Sequence, residues 1–395
     1  MNPRLKLLQP YPFERLRKLL GEHKPVSTLA PINLSIGEPR HPTPACVTDA
    51  LCGAVSGLAS YPATAGTPAL REAIANWLMK RYGLVHIDPT TQILPVNGSR
   101  EALFSFVQTL IEPSAEALVL CPNPFYQIYE GAALLAGAQP GFINQLATRD
   151  FKPDWLAVPE SDWKRCQLLF VCSPGNPTGA VLGLDDWRLL FELSDRFGFT
   201  IASDECYSEI YFDESSPPLG ALEASIRCGR PDLRRLIVFS SLSKRSNAPG
   251  LRSGFVAGDA DLIRPYLLYR TYHGSAMSTT VQAASIAAWG DESHVIANRA
   301  RYTEKFAAVV PRLKLAVPVP HPDAGFYVWL PVPDGDDLTF CQRLYADYNV
   351  TVLPGSFLAR PHLGVNPGAG FVRLALVDEL DRCTEAADRI VSMLG

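Results

Sequence analysis

A chain of 395 residues, 47% hydrophobic and 19% charged, has the make-up of a globular protein with room for two or three domains. Its 36 Lys plus Arg against 40 Asp plus Glu leave a net charge of −4, so no basic excess speaks for nucleic acid. No apolar run is long enough for a membrane span and the first ten residues lack the apolar core of a secretion signal, so a cytoplasmic protein is expected.

Residues 13–20 have the spacing of an amphipathic helix within an N-terminal passage that is otherwise polar and rich in proline. Residues 33–44 hold Gly37 and several prolines, which predicts an extended loop of the kind that lines sites. A second irregular stretch, residues 60–68, precedes a helical pattern over 69–82. Ile93–Val96 then leads into Asn97, Gly98, Ser99 and Arg100, and apolar residues at 103, 106, 107 and 110 predict a helix directly afterwards. A glycine and a serine at a helix start present free backbone N–H groups to an anion, and the helix dipole adds to the attraction. A plain N-cap at Ser99 is the alternative.

From there strands over 117–121, 168–172, 200–203 and 236–239 alternate with helices over 128–136 and 185–197. Strands that are continuous apolar runs, separated by helices, mean a mostly parallel sheet covered on both faces, with ligands beyond its carboxyl edge. The unusual polar clusters, at 123–126, 173–179, 204–207 and 241–244, all fall at such strand ends. Lys244 follows the run 236–239, and Arg252 opens a further apolar run, 254–257, so the chain folds back and returns a guanidinium toward the amine. A lysine, hydroxyls and an arginine suit an aldehyde that bears a phosphate; taken alone, the segment reads equally as a basic surface loop.

Helical patterns over 262–269, 281–289 and 295–313 lead to a change of rhythm, with apolar strands over 325–330, 350–353 and 371–376, a helix over 340–347 and a last helix. The expected architecture is therefore α/β. A large domain, residues 45–290, carries a mostly parallel sheet covered by helices, and a smaller α+β domain is built from residues 1–44 and 291–395. Asp204 ends an apolar strand and Arg373 lies within one, so each needs a partner of opposite charge. Nine scattered cysteines without Cys-x-x-Cys read as reduced thiols, and seven dispersed histidines predict no metal site.

Tyr61, Asn97 to Ser99, the run Ser-Pro-Gly-Asn-Pro-Thr-Gly from Ser173 to Gly179, Asp204 with Tyr207, Ser241 with Lys244, Arg252 and Arg373 stand in one chain in that order. On these motifs the chain, from about Asn33 onward, resembles the class I aminotransferases among the fold-type I pyridoxal-phosphate enzymes. Gln9 to Phe13, Ser35 to Pro39, Asn123 to Tyr129 and Leu242 to Asn247 resemble more narrowly the bacterial N-succinyldiaminopimelate aminotransferases.

The resemblance implies pyridoxal 5′-phosphate as cofactor, Lys244 as the amine that takes its aldehyde and moves the substrate proton, and Asp204 opposite its ring nitrogen. Asn176 and Tyr207 would donate to the ring oxygen and Tyr126 would stack on the ring. Ser99, Ser241, Arg252 and the backbone at Gly98, Ser99 and Arg100 would hold the phosphate. Arg373, helped by Asn176 and the Gly37 backbone, would bind the substrate α-carboxylate, and Tyr61 would reach the phosphate of a neighbouring subunit, which implies a homodimer with shared sites. The implied reaction passes an amino group from glutamate to N-succinyl-2-amino-6-oxopimelate, with residues 355–368 and the turn Pro39 to His41 as candidates for the distal pocket. An aspartate, alanine or aromatic aminotransferase, or a carbon–sulfur β-lyase, would carry the same cofactor residues; a non-catalytic ligand-binding module would not need the whole set. No Gly-x-Gly-x-x-Gly follows a strand, which disfavours a nicotinamide site.

Overall fold

The computed structural model describes residues 1–21, 25–114 and 116–395. Its centre is a seven-stranded sheet in the spatial order Ile93–Val96, Gly254–Gly258, Leu236–Ser241, Thr200–Asp204, Cys166–Cys172, Leu118–Asn123 and Gln139–Asn144. Gly254–Gly258 runs antiparallel to both of its neighbours, and the remaining pairs are parallel.

The apolar runs are continuous because alternate residues feed two cores. Leu169, Val171, Ile201, Leu236 and Val238 face one cluster, beneath Pro68–Tyr82, Leu184–Phe197 and Thr279–Gly290. Leu168, Phe170, Ala202, Ile237 and Phe239 face the other, beneath Ser99–Leu110, Ile128–Ala136 and Ala260–His273. Each large apolar side chain so buried contributes about 1.5–3 kcal/mol before entropy is charged against it.

The edge strand Gln139–Asn144 was not anticipated from the sequence. Its Pro140 and Gly141 depress the strand signal, and an edge position tolerates both because one side of the strand makes no ladder. Among the described residues no helix is long and apolar enough to cross a membrane.

A second sheet, in the order Leu353–Pro354, Phe371–Ala375, Tyr327–Pro331, is antiparallel. Its Val328, Leu330, Val372 and Leu374 pack in one cluster with Phe306, Val309, Leu344 and Ile390 from the helices Ser293–Leu313, Asp337–Tyr348 and Leu380–Leu394. Ile32–Asn33 pairs in parallel with Val350–Thr351, and the Ala375 N–H donates to the Leu34 carbonyl at 2.8 Å. These pairings carry the loop after Asn33 to the carboxyl edge of the large sheet.

Candidate active site

Asp204 is the last residue of its strand, opposite Cys172 on one neighbour and Phe239 on the other, and is 4% exposed. The Tyr129 hydroxyl donates to its Oδ2 at 2.7 Å and the Cys206 N–H to its Oδ1 at 3.3 Å. Burial pushes the carboxyl pKa up, and the Tyr129 hydrogen bond opposes that shift. Among the described residues Asp204 has no ion-pair partner within contact distance.

One strand over, Leu236–Ser241 runs into the single turn Leu242–Arg245, capped by Ser241, whose Oγ accepts from the Ser243 N–H at 3.1 Å. This turn holds Lys244 at the sheet edge. Its amine donates to the Gly37 carbonyl and lies 5.4 Å from the centre of the Phe326 ring. Burial, joined by the positive charges of Arg373 and Arg100, holds its pKa down at about 8.

The reversed strand explains how Arg252 arrives. Gly254, its first residue, pairs with Ser241 on one side and Val96 on the other, so the loop before it lies where the parallel strands end. Arg252 takes a left-handed φ of 54° and donates to the Pro249 carbonyl at 2.9 Å. Its guanidinium lies against Gly98, where a Cβ would stand 2.5 Å from a terminal nitrogen, and Gly98 has φ of 86°. Only glycine permits both that approach and that backbone. Ser99 opens the twelve-residue helix Ser99–Leu110, and its Oγ lies 2.9 Å from the Cys206 thiol. Free N–H groups at the helix start, three serine hydroxyls (Ser99, Ser241 and Ser243) and the Arg252 guanidinium therefore line one anion-binding corner.

Arg373 comes from the middle strand of the small sheet and is 4% exposed. It donates to Asn176 Oδ1 at 3.0 Å and to the Ser35 carbonyl at 2.8 Å, lies 4.4 Å over the Tyr327 ring, and keeps a buried Nε without a partner. Because Asn176 spends its oxygen on Arg373, its amide N–H groups remain free to donate. The Tyr207 and Tyr327 hydroxyls are 2.9 Å apart. A Cβ on Gly37 would fall 1.9 Å from the Tyr327 hydroxyl, so this close approach also requires glycine.

Gly37, Ser99, Arg100, Tyr126, Asn176, Asp204, Tyr207, Ser241, Lys244, Arg252 and Arg373 thus border a single cavity of about 560 Å³. Arg100 Nε donates to the Tyr126 hydroxyl at 2.6 Å, so its side chain as well as its backbone belongs to the site. Tyr61, by contrast, is fully exposed and lies outside the cavity of its own chain.

The segments expected to line a distal pocket are mostly committed elsewhere. Arg40 pairs with Asp378, and His41 is buried, with Nδ1 2.8 Å from Asn298. Arg360 gives two hydrogen bonds to Glu130, at 2.8 and 2.6 Å, and of residues 355–368 only Leu358 borders the cavity. Tyr11 and Phe13 line it instead, together with Tyr327 and Cys206, and the sequence assigns none of these four a role in the site. Tyr129, also unforeseen, reaches Asp204 from a helix whose apolar pattern reads as core, and its ring stacks on Phe170 at 4.3 Å. An aromatic spacing of this kind carries no signal of a hydroxyl's partner.

A family model described as aminotransferase class I and II matches residues 30–390. An LL-diaminopimelate aminotransferase of Nitratidesulfovibrio vulgaris (strain DP4) is 34% identical over 395 residues, covering 99% of this chain and 98% of that one. The crystal structure of an aminotransferase from Neisseria meningitidis Z2491 is similar at a TM-score of 0.97 and 55% identity, with 100% of both chains covered. The aminotransferase AspB from Helicobacter pylori 26695 is similar at 0.90 and 35%, over 98% of this chain and 99% of that one.

Proposed function

The chain belongs to the class I and II aminotransferases, which are pyridoxal 5′-phosphate enzymes, and on that premise we propose that it passes an amino group from glutamate to N-succinyl-2-amino-6-oxopimelate in lysine and diaminopimelate synthesis. The observation that carries this reading is the pairing, in one cavity, of the Lys244 amine with the Arg373 guanidinium, which is bonded to Asn176.

The residues present fit the cofactor. Asp204 is a buried carboxylate that lacks a cation in contact, which a protonated ring nitrogen would supply. The corner formed by Gly98, Ser99, Ser241, Ser243 and Arg252 would hold the phosphate, while Tyr126 would cover one face of the ring. Asn176 and Tyr207 would donate to the ring oxygen. When bound, the cofactor supplies an electron sink for the charge left at the substrate Cα.

Lys244 is suited to take a proton from Cα and to return one, because an amine with a pKa near 8 gives up and regains a proton close to neutral pH. Arg373 would present a fork of donors to the α-carboxylate and so fix the substrate with its Cα toward Lys244, an orientation both half-reactions need. Asn176 braces the guanidinium from the side, and the stacked Tyr327 ring limits its tilt. Tyr11, Phe13 and Leu358 narrow the cavity around these groups. The cavity wall also carries Glu38, Arg100 and Gln127, polar groups of the kind a long acceptor would need. Tyr61, exposed on its own chain, would serve the site of a second copy in a homodimer.

A second reading takes from the names of the curated relatives LL-diaminopimelate itself as the amino donor, with 2-oxoglutarate proposed here as its acceptor. Glutamate-dependent formation of 2-oxoglutarate, followed with a panel of oxo acids, decides between them. The succinylated acceptor should be used better than oxaloacetate or pyruvate at equal concentration. Parity with those two sinks the substrate assignment, and faster amino transfer from LL-diaminopimelate to 2-oxoglutarate establishes the second reading in its place.

A further inference from the structure

Outside the cavity, Cys46, Asp291 and His294 each offer one ligand atom, and these atoms lie within 4.8 Å of one another. Among the described residues no other three or more His, Cys, Asp or Glu side chains converge in this way. Cys46 stands in the first turn of Ala45–Gly53, while Asp291 and His294 flank the start of Ser293–Leu313. Two of the three are held from behind: Ser246 Oγ is 2.8 Å from His294 Nε2, and Asp291 Oδ1 accepts from the Ser293 hydroxyl at 2.7 Å. His294 Nδ1 lies 2.5 Å from Asp291 Oδ2.

Ser246, His294 and Asp291 thus align like a nucleophile, base and orienting acid. Ser246 is 0% exposed, however, so no substrate reaches its hydroxyl. Cys46 is exposed, and the donor set it completes is a cysteine sulfur, which a metal would bind as thiolate, an imidazole nitrogen and a carboxylate oxygen.

We propose that Cys46, Asp291 and His294 bind a borderline-soft dication of the Zn²⁺ type, with water in the remaining position. In this structure the Nδ1 proton faces Asp291 Oδ2; metal binding would shift it to Nε2, where Ser246 Oγ can accept it, and so free the Nδ1 lone pair for the metal, the arrangement metal-bound histidines take from a hydrogen-bonded partner behind them. The negative charges of thiolate and carboxylate balance that of the dication. Metal bonds of about 2.0–2.2 Å to nitrogen and oxygen and about 2.3 Å to sulfur require Asp291 Oδ2 to draw back from Nδ1. The carboxylate, 34% exposed, has room for that motion. The site adjoins the Lys244 segment, since the Ser246 N–H donates to the Leu242 carbonyl at 3.0 Å across the turn that carries the lysine.

Alkylation of the full-length holoenzyme with iodoacetamide, read residue by residue by mass spectrometry with and without Zn²⁺, tests the site. Cys52, the other exposed cysteine, is the internal reference. Zn²⁺ should slow labelling of Cys46 at least about tenfold relative to Cys52, and the protection should be lost in Asp291→Asn and in His294→Gln. Equal labelling of the two cysteines in the wild-type protein overturns the site, as does protection of Cys46 that survives both substitutions. The wild-type comparison needs no variant to fold.

Discussion

Lys244 imposes a measurable load on the cofactor-free protein. Its pKa of about 8, against the ordinary 10.5, corresponds to about 3 kcal/mol by which the folded state disfavours the charged amine. The ammonium faces a cavity that water enters and the residue is only partly buried, so screening reduces this to about 2 kcal/mol. Because the folded pKa is lowered, the unfolded chain binds more protons between pH 8 and 10.5, and stability rises with pH across that window. Below pH 8 both states are protonated and the full penalty applies. Lys244→Met removes the titrating group and keeps most of the volume, so the cofactor-free variant should be more stable than wild type by about 2 kcal/mol at pH 7. That gain should shrink steadily toward zero near pH 10.5. Urea unfolding of both cofactor-free proteins at pH 7, 8.5 and 10 measures it, and taking the difference cancels the titrating groups that do not interact with Lys244. A gain that does not change with pH, or a loss at pH 7, refutes the reasoning.

On its proposed role, Arg373→Ala would delete two charge-assisted hydrogen bonds to the substrate α-carboxylate, about 3–6 kcal/mol together, and should lower kcat/KM by roughly two to four decades for donor and acceptor alike; a loss confined to one substrate would contradict a shared clamp. Tyr129→Phe removes one hydrogen bond to the buried Asp204 carboxylate, about 1.5–3 kcal/mol, and should weaken cofactor retention roughly tenfold to a hundredfold in equilibrium dialysis, whereas unchanged retention would show that Tyr129 only packs. Asp204→Ala should cut turnover by about two to four decades while circular dichroism stays that of a folded protein, and near-normal turnover would remove Asp204 from its role. Mixing inactive Lys244→Ala chains with impaired Tyr61→Phe chains should give more activity than the two proteins measured apart, since one hybrid site regains both residues; strict additivity, or a fully active monomer in sedimentation, disposes of the shared site.

The sequence made the sheet legible because burial on both faces leaves unbroken apolar runs, and the carboxyl ends of those runs marked Asp204, Ser241 and Lys244 directly. Gly98 was legible for the same local reason: it stands between a strand and a helix, where an unusual φ is needed. What stayed hidden depends on contacts between distant segments. Tyr129 and Tyr327 carry hydroxyls into the site from positions whose spacing is that of ordinary core aromatics, and only the packing of a helix on the sheet, or of one sheet near the other, decides what each hydroxyl meets. Arg40 and Arg360 failed as pocket residues for the converse reason. A cation on a loop looks free in sequence, while in the fold Asp378 and Glu130 already neutralise them. Phe13 reaches the cavity although its helical pattern predicts only a helix with one buried face, and Tyr11 reaches it from just ahead of that helix.

The reversed strand Gly254–Gly258 also sets an order of assembly. The residues that would hold the cofactor lie between Gly98 and Arg252 of the same chain, and the sheet that carries them is complete once Gly258 has been added. The clamp for the substrate carboxylate needs Arg373, which enters with a strand more than a hundred residues further on. Along the chain, the residues proposed for the anion corner and the amine therefore all come well before Arg373, the residue proposed to recognise an amino acid.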